Sequence, residues 1–239
     1  MKKTYCMSDI HGCFDEYKKA LELINFSDTD TLYVLGDCVD RGPEPMRLLF
    51  DMMGRSNVFP IAGNHEIMAY KSLTFLSNVI TEESIENFDK EQLSAIIDWM
   101  NVNGGDTTVK TFRDLDDSNR EAVLDYFCEF DLYIEITVNG KDYVLIHAGL
   151  KNFRENRRLD SYSAAELLWT PPDYNRVYFK DKFLVTGHTP TRNINGVDEI
   201  FKKNNHIAID CGCCFGGNLA VYCFETGETV YVSSNKSKS

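Results

Sequence analysis

The chain has 239 residues, 43% hydrophobic and 26% charged, which is enough ordinary soluble sequence for one sizeable core. A net charge of −12 excludes a general nucleic-acid binder with its basic footprint, so no nucleic-acid duplex is expected as a partner. No apolar run approaches membrane-spanning length, and Ser8-Asp9 interrupts the apolar stretch after Met1-Lys2-Lys3, so neither a membrane partner nor a signal peptide is expected.

Tyr5-Cys6-Met7 reads as a short buried strand. Phe14, Tyr17, Leu21 and Ile24 then recur at helical spacing. Thr31 to Leu35 is a second apolar strand. Pro43 is expected to open a helix through Met46, Leu49 and Phe50, since proline suits a first turn. Val58 to Ile61 is a third strand. Strands alternating with helices predict an α/β fold with a parallel sheet, whose ligands gather beyond the carboxyl ends of the strands. From about residue 70 to 130 the chain turns acidic and helical, with Ile96, Ile97 and Trp99 on one helix and Val123, Tyr126 and Phe127 on another. This segment is expected to be an insertion over one edge of the site within a single domain, residues 1–233. Leu132–Val138 and Tyr143–Ile146 flank Asn139-Gly140, a strong two-residue hairpin signal. Further strands are expected at Phe183–Thr186, near Ile207–Asp210, at Leu219–Phe224 and at Thr229–Val232. The polar tail Ser234–Ser239 is expected to be disordered.

Five segments carry the chemistry: Asp9-Ile10-His11-Gly12, Gly36-Asp37-Cys38-Val39-Asp40-Arg41-Gly42, Gly63-Asn64-His65-Glu66, His147-Ala148-Gly149 and Gly187-His188-Thr189. Each sets a possible metal ligand beside glycine. A mixed Asp/His/Asn set suits two small divalent cations, the usual machinery for in-line hydrolysis of phosphate esters. Such cations attract phosphate whatever the net charge. Any one segment alone has a bland reading: Asp-x-His as a surface turn, Gly-Asn-His as a loop, His147 and His188 as satisfied interior histidines. Four of the five histidines fall inside these motifs, which makes coincidence a poor explanation of the set. His206, the fifth, has no motif and reads as structural or exposed.

In this order and spacing the motifs resemble the phosphoprotein-phosphatase branch of the calcineurin-like metallophosphoesterases. The bacterial and phage-type serine/threonine phosphatases are nearest, and the symmetrical diadenosine tetraphosphate hydrolases are close relatives. The resemblance runs from about Met7 to Phe224. It implies a four-layer αββα sandwich and two divalent metal ions, Mn²⁺ first, with Fe, Zn or Co as alternatives. It places Asp9 and His11 on the first metal, Asp37 between both, and Asn64, His147 and His188 on the second. A metal-bridging hydroxide would attack phosphorus in line. His65, oriented by Asp40, would protonate the leaving oxygen, and Arg41 would clamp phosphate oxygens. The Trp99 to Asn103-Gly104-Gly105 segment resembles a Trp-x-x-x-Asn-Gly-Gly stretch of bacterial phosphatases, which puts Asn103 at the site. An ordinary Gly-Gly loop is the competing reading. A second phosphate-binding Arg is expected after His147, with Arg157, Arg158 and Arg176 as candidates.

The match also departs from the pattern. Protein phosphatases carry Arg immediately before Gly-Asn-His-Glu, and this chain has Ala62. The dinucleotide hydrolases share that lack, but they typically lack an Asp at the position of Asp40 and have Asp where this chain has Glu66. The expected substrate is therefore a phosphorylated protein or small phosphoester, with dinucleoside polyphosphates as the alternative and an idle phosphate-binding module as the third reading. With no export signal, the eight cysteines read as reduced thiols of a cytoplasmic protein, with Cys6, Cys38 and Cys128 in core elements or at the site. Cys211, Cys213 and Cys214 lack a second pair at zinc-site spacing and read as buried small side chains. Oligomeric state is not legible.

Overall fold

Two five-stranded mixed sheets stacked face to face organise the chain in a computed structural model that describes residues 2–77 and 90–235. The first sheet runs β10-β9-β1-β2-β3, from β1 (Thr4–Met7), β2 (Thr31–Leu35), β3 (Val58–Ile61), β9 (Asn218–Cys223) and β10 (Thr229–Ser233). Within it β1, β2 and β3 are parallel, while β9 is antiparallel to β1 and β10. The second sheet runs β4-β5-β6-β8-β7, from β4 (Tyr133–Val138), β5 (Lys141–Ile146), β6 (Lys182–Thr186), β7 (Phe201–Lys203) and β8 (His206–Ala208). Here β5, β6 and β8 are parallel.

Strand periodicity divides the core in two. Cys6, Leu35, Ile61, Tyr143, Leu145, Val185, Ile207 and Tyr222 point between the sheets. Their neighbours Tyr5, Met7, Val34, Val144, Ile146 and Leu184 point outward to the helical layers. The expected α/β sandwich is therefore present, with helices over both sheets. Asn139 and Gly140 take φ values of 49° and 72°, the left-handed pair a tight hairpin needs between β4 and β5. The short edge strand β7 was not anticipated, and β8 starts one residue earlier than Ile207.

Helix α1 (Phe14–Leu23) packs on β9 and β10. Helix α2 (Pro45–Met53) opens at Pro45, not at Pro43. A residue before proline is pushed out of the helical region, and Glu44 has φ −132° and ψ 49°. Its N–H is also tied to Gly12 O at 3.0 Å, so the helix cannot begin earlier. Helix α3 (Asn64–Ser77) starts on a motif residue. It packs against α4 (Lys90–Asn101) and α6 (Asp117–Cys128), while α5 (Asp106–Arg113) packs on α2 and α4. Ile96, Trp99, Val123, Tyr126 and Phe127 are buried as expected, and Ile97 is 47% exposed. Two short helices follow, α7 (Ala164–Leu168) and α8 (Arg192–Asn195).

Seven of the eight cysteines are buried and all are unbridged, but Cys128, expected in the core, is exposed at the end of α6. Residues 236–239 of the expected disordered tail lie outside the described residues. Ser234 and Asn235 are held by bonds to Gly217 O and Glu16 Oε1. Among the described residues no helix is long and apolar enough to cross a membrane.

Candidate metal centre

Five strand ends converge on one place. Asp9 lies two residues beyond β1, Asp37 beyond β2 and His188 beyond β6, while Asn64 follows β3 and His147 directly follows β5. This is the carboxyl-end arrangement expected of ligand sites in such sheets. All are buried except His188, which is partly exposed. Ligand atoms of His11, Asp37 and His65 cluster within 4.8 Å of one another, as do those of Asp37, His147 and His188. Asp37 is common to both groups: its Oδ2 is 3.7 Å from His11 Nε2 and its Oδ1 is 3.4 Å from His147 Nε2.

The imidazole tautomers follow from the backbone. His11 Nδ1 donates to Val39 O and His147 Nδ1 to Leu35 O, both at 2.8 Å, which leaves each Nε2 with a lone pair aimed inward. His147 Nε2 faces Asn64 Oδ1 at 3.0 Å and His188 Nδ1 at 3.1 Å, and that nitrogen faces the same oxygen at 3.0 Å. Acceptors packed this closely suit a cation, so the donor set fits the second of two metals. Asp9 accepts from the Ser8 hydroxyl and, at 2.9 Å, from the His188 N–H.

Burial separates the four histidines by role. It pushes the His11 and His147 imidazoles down, and His188 down to about 4, so all three stay neutral near pH 7 as lone-pair donors. Burial also acts downward on His65, but the Asp37 charge and the bond to Asp40 outweigh it and hold His65 above its ordinary value. Of the four imidazoles, His65 alone is shifted upward. His65 Nδ1 donates to Asp40 Oδ2 at 2.6 Å, and Asp40 is fully buried.

The backbone here is strained. Eleven described non-glycine residues have positive φ, and five of them are asparagines, which tolerate that region. The other six are Asp9, His11, Asp37, Asp40, Arg41 and His188, all motif residues. Glycine serves the same loops in two ways: Gly36 turns at φ 77°, and a Cβ on Gly187 would lie 1.8 Å from Ser8 Oγ.

Arg41 Nη1 donates to His11 Nε2 at 2.6 Å, and its guanidinium lies 5.1 Å over the Phe215 ring. Arg41, Phe215 and Asn103 line a cavity of about 390 Å³. Arg158 is instead paired with Asp160 on the surface, and Arg176 lies over Phe153 and Tyr178 at 4.8 and 5.6 Å; neither hydrogen-bonds to the His–Asp cluster. Arg157 pairs with Glu166. Ala62 is buried and donates to Asp131 O at 2.8 Å. His206, as expected of a structural residue, is 1% exposed and lies 2.8 Å from the Thr186 hydroxyl.

The sequence places Glu66 in the third motif without showing what its carboxylate holds. Its carboxylate accepts the N–H groups of Gly63, Asp37 and Cys38 at 2.7, 2.8 and 2.7 Å, tying the second motif to the third. The clue was its place: as the third residue of α3 it reaches back to Gly63 just before the helix, one half of a capping box. Asp210, whose carboxyl burial pushes up to about 7, accepts from Gly212 N–H at 2.9 Å beside the same loops.

A family model described as calcineurin-like phosphoesterase matches residues 2–224. The chain belongs to this family. A relative from Geobacillus sp. (strain WCH70), named bis(5′-nucleosyl)-tetraphosphatase (asymmetrical), is 24% identical, with 98% of this chain and 95% of that one covered. A symmetrical bis(5′-nucleosyl)-tetraphosphatase from Wigglesworthia glossinidia brevipalpis is 33% identical, but the match spans 40% of this phosphoesterase and 36% of that protein's length. Among solved structures, a Saccharomyces cerevisiae protein serine/threonine phosphatase has a TM-score of 0.58 at 12% identity, covering 99% of this chain and 81% of that one. The structural likeness shows the fold. The phosphoesterase is thus a metal-dependent hydrolase of phosphoesters, and its His–Asp cradle fits the family's dinuclear divalent centre.

Proposed function

We propose that this phosphoesterase hydrolyses alkyl phosphomonoesters, with phosphoserine and phosphothreonine in proteins as the substrate class. The buried Asp40–His65 pair carries the reading. An alkoxide is a poor leaving group and needs a proton as the bond to phosphorus breaks, whereas a nucleotide leaves as a stable phosphate anion and needs none. A carboxylate-steered imidazole is the device for the first case. Asp9, His11 and Asp37 would hold one cation, and Asp37, Asn64, His147 and His188 the other. When bound, two such ions supply Lewis-acid polarisation of the phosphoryl group and activation of the attacking water. Arg41 orients phosphate oxygens through its planar fork, and Asn103 borders the same cavity. Arg158 and Arg176 would reach phosphate only by leaving their present partners.

Hydrolysis of dinucleoside polyphosphates is the second reading. The names of near full-length relatives favour it, as does Ala62 where a protein phosphatase carries a clamp. Purified protein with Mn²⁺ is to be offered a phosphoserine peptide, p-nitrophenyl phosphate and diadenosine tetraphosphate. Turnover of the peptide supports the first reading. Exclusive turnover of the dinucleotide replaces it with the second, and no turnover with metals demonstrably bound removes both.

A further inference from the structure

Asp40 belongs to the second motif, but the helical segment holds it. Its Oδ2 accepts from the Trp99 indole N–H at 2.6 Å as well as from His65. Its Oδ1 accepts from the Thr108 hydroxyl at 2.6 Å, and its own N–H returns to Thr108 Oγ1 at 2.9 Å. A carboxylate held by one donor can swing, because its terminal torsion is broad. Three donors reaching it from α3, α4 and α5 fix both its position and its plane.

The turn between α4 and α5 is built around the same contacts. Gly105 donates to Trp99 O at 3.0 Å, and a Cβ on it would meet the indole ring at 2.3 Å. Gly104, at φ 78°, accepts from the Arg41 N–H at 2.9 Å. The Gly-Gly pair therefore seats Trp99 on one side and Arg41 on the other, which an ordinary interhelical loop would not require.

We propose that Trp99 and Thr108 are positioning residues for the general acid. They lock the Asp40 carboxylate, which in turn aims His65 at the leaving oxygen. The inference rests on the phosphomonoester reading and adds that the helical segment completes the catalytic pair. A purely structural role would lower all activities together. A positioning role weakens proton delivery, and so falls on poor leaving groups.

The test uses the Mn²⁺-loaded full chain and two esters, phenyl phosphate and 2,4-dinitrophenyl phosphate. General acid catalysis contributes about 10²–10⁴-fold, and misaligning it forfeits part of that. Thr108→Val and Trp99→Phe are expected to lose about 10- to 100-fold in kcat/KM on phenyl phosphate and about threefold or less on the dinitrophenyl ester. Thr108→Ser, which keeps the hydroxyl, is expected to restore phenyl phosphate turnover. In metal-free protein the Trp99 indole N–H, one of only two in the chain, should exchange slowly, and Asp40→Ala should abolish that protection. Equal losses on both esters, no loss on either, or an indole N–H that exchanges freely in the parent protein would each overturn the proposal. If the parent protein hydrolyses neither ester, the phosphomonoester reading itself falls, and the positioning role falls with it.

Discussion

Replacing Glu66 by Ala tests whether one carboxylate holds two motifs together. The substitution orphans three closely held buried N–H groups, those of Gly63, Asp37 and Cys38, and removes a longer 3.4 Å bond from the Val39 N–H. Each costs about 1–3 kcal/mol when left without a partner, or about 6 kcal/mol in all. An offset runs the other way. Burial, and then the Asp37 charge, push the Glu66 carboxyl from its ordinary 4.5 up to about 7. A folded pKa above the unfolded one contributes stability that is fully present below pH 4.5 and lost as pH rises through 7, a loss of about 3 kcal/mol. The variant escapes that loss, so its deficit is expected to be about 3 kcal/mol at pH 8 and about 2 kcal/mol greater at pH 5.5. Urea denaturation of the metal-free proteins at both pH values measures it. A deficit below about 0.5 kcal/mol, or one that does not change with pH, refutes the reasoning.

His65→Asn is expected to retain both metals by elemental analysis yet lose about 10²-fold or more on phenyl phosphate, with a much smaller loss on the dinitrophenyl ester; equal losses would remove His65 as the acid. His206 is held down to about 4 by burial, below its ordinary 6.5, so the unfolded chain takes up a proton first and stability falls as pH drops below 6.5. In urea unfolding, His206→Phe, which keeps a ring against Tyr174, should therefore lose about 1 kcal/mol less than the parent between pH 7.5 and 5.5. Gly105→Ala drives a methyl into the Trp99 ring and is expected to cost about 1–3 kcal/mol by the same method, together with phenyl phosphate turnover.

The parts of the fold legible in the sequence were those whose signal is local. Short apolar runs marked β1, β2 and β3, Asn139-Gly140 marked the β4–β5 hairpin, and the motifs marked the strand ends where they lie. What escaped depends on partners far along the chain. Pro43 carries a fair helix-start signal, cancelled by Pro45 and by the bond from Glu44 N–H to Gly12 O, 32 positions earlier. Cys128 sits among buried aromatics in sequence but on the outer side of α6 in space. Thr108 is an ordinary helical threonine until Asp40, 68 positions earlier, is brought to 2.6 Å. Trp99 was placed near the site by resemblance, but its bond to a particular carboxylate oxygen depends on how α4 docks. Arg158 and Arg176 were candidates because the resemblance implies a second phosphate-binding Arg after His147, and position along the chain does not say which arginines already have other partners.

The six left-handed motif residues carry an evolutionary consequence. Each conformation costs about 1 kcal/mol that glycine would not incur. Asp9→Gly should therefore raise the melting temperature of metal-free protein if losing the Ser8 and His188 contacts costs less, while metal binding collapses. Variants selected for heat resistance alone would drift toward glycine at these positions and become inert. Asp, His and Arg in strained backbone thus mark loops that give up stability for the side chains they present.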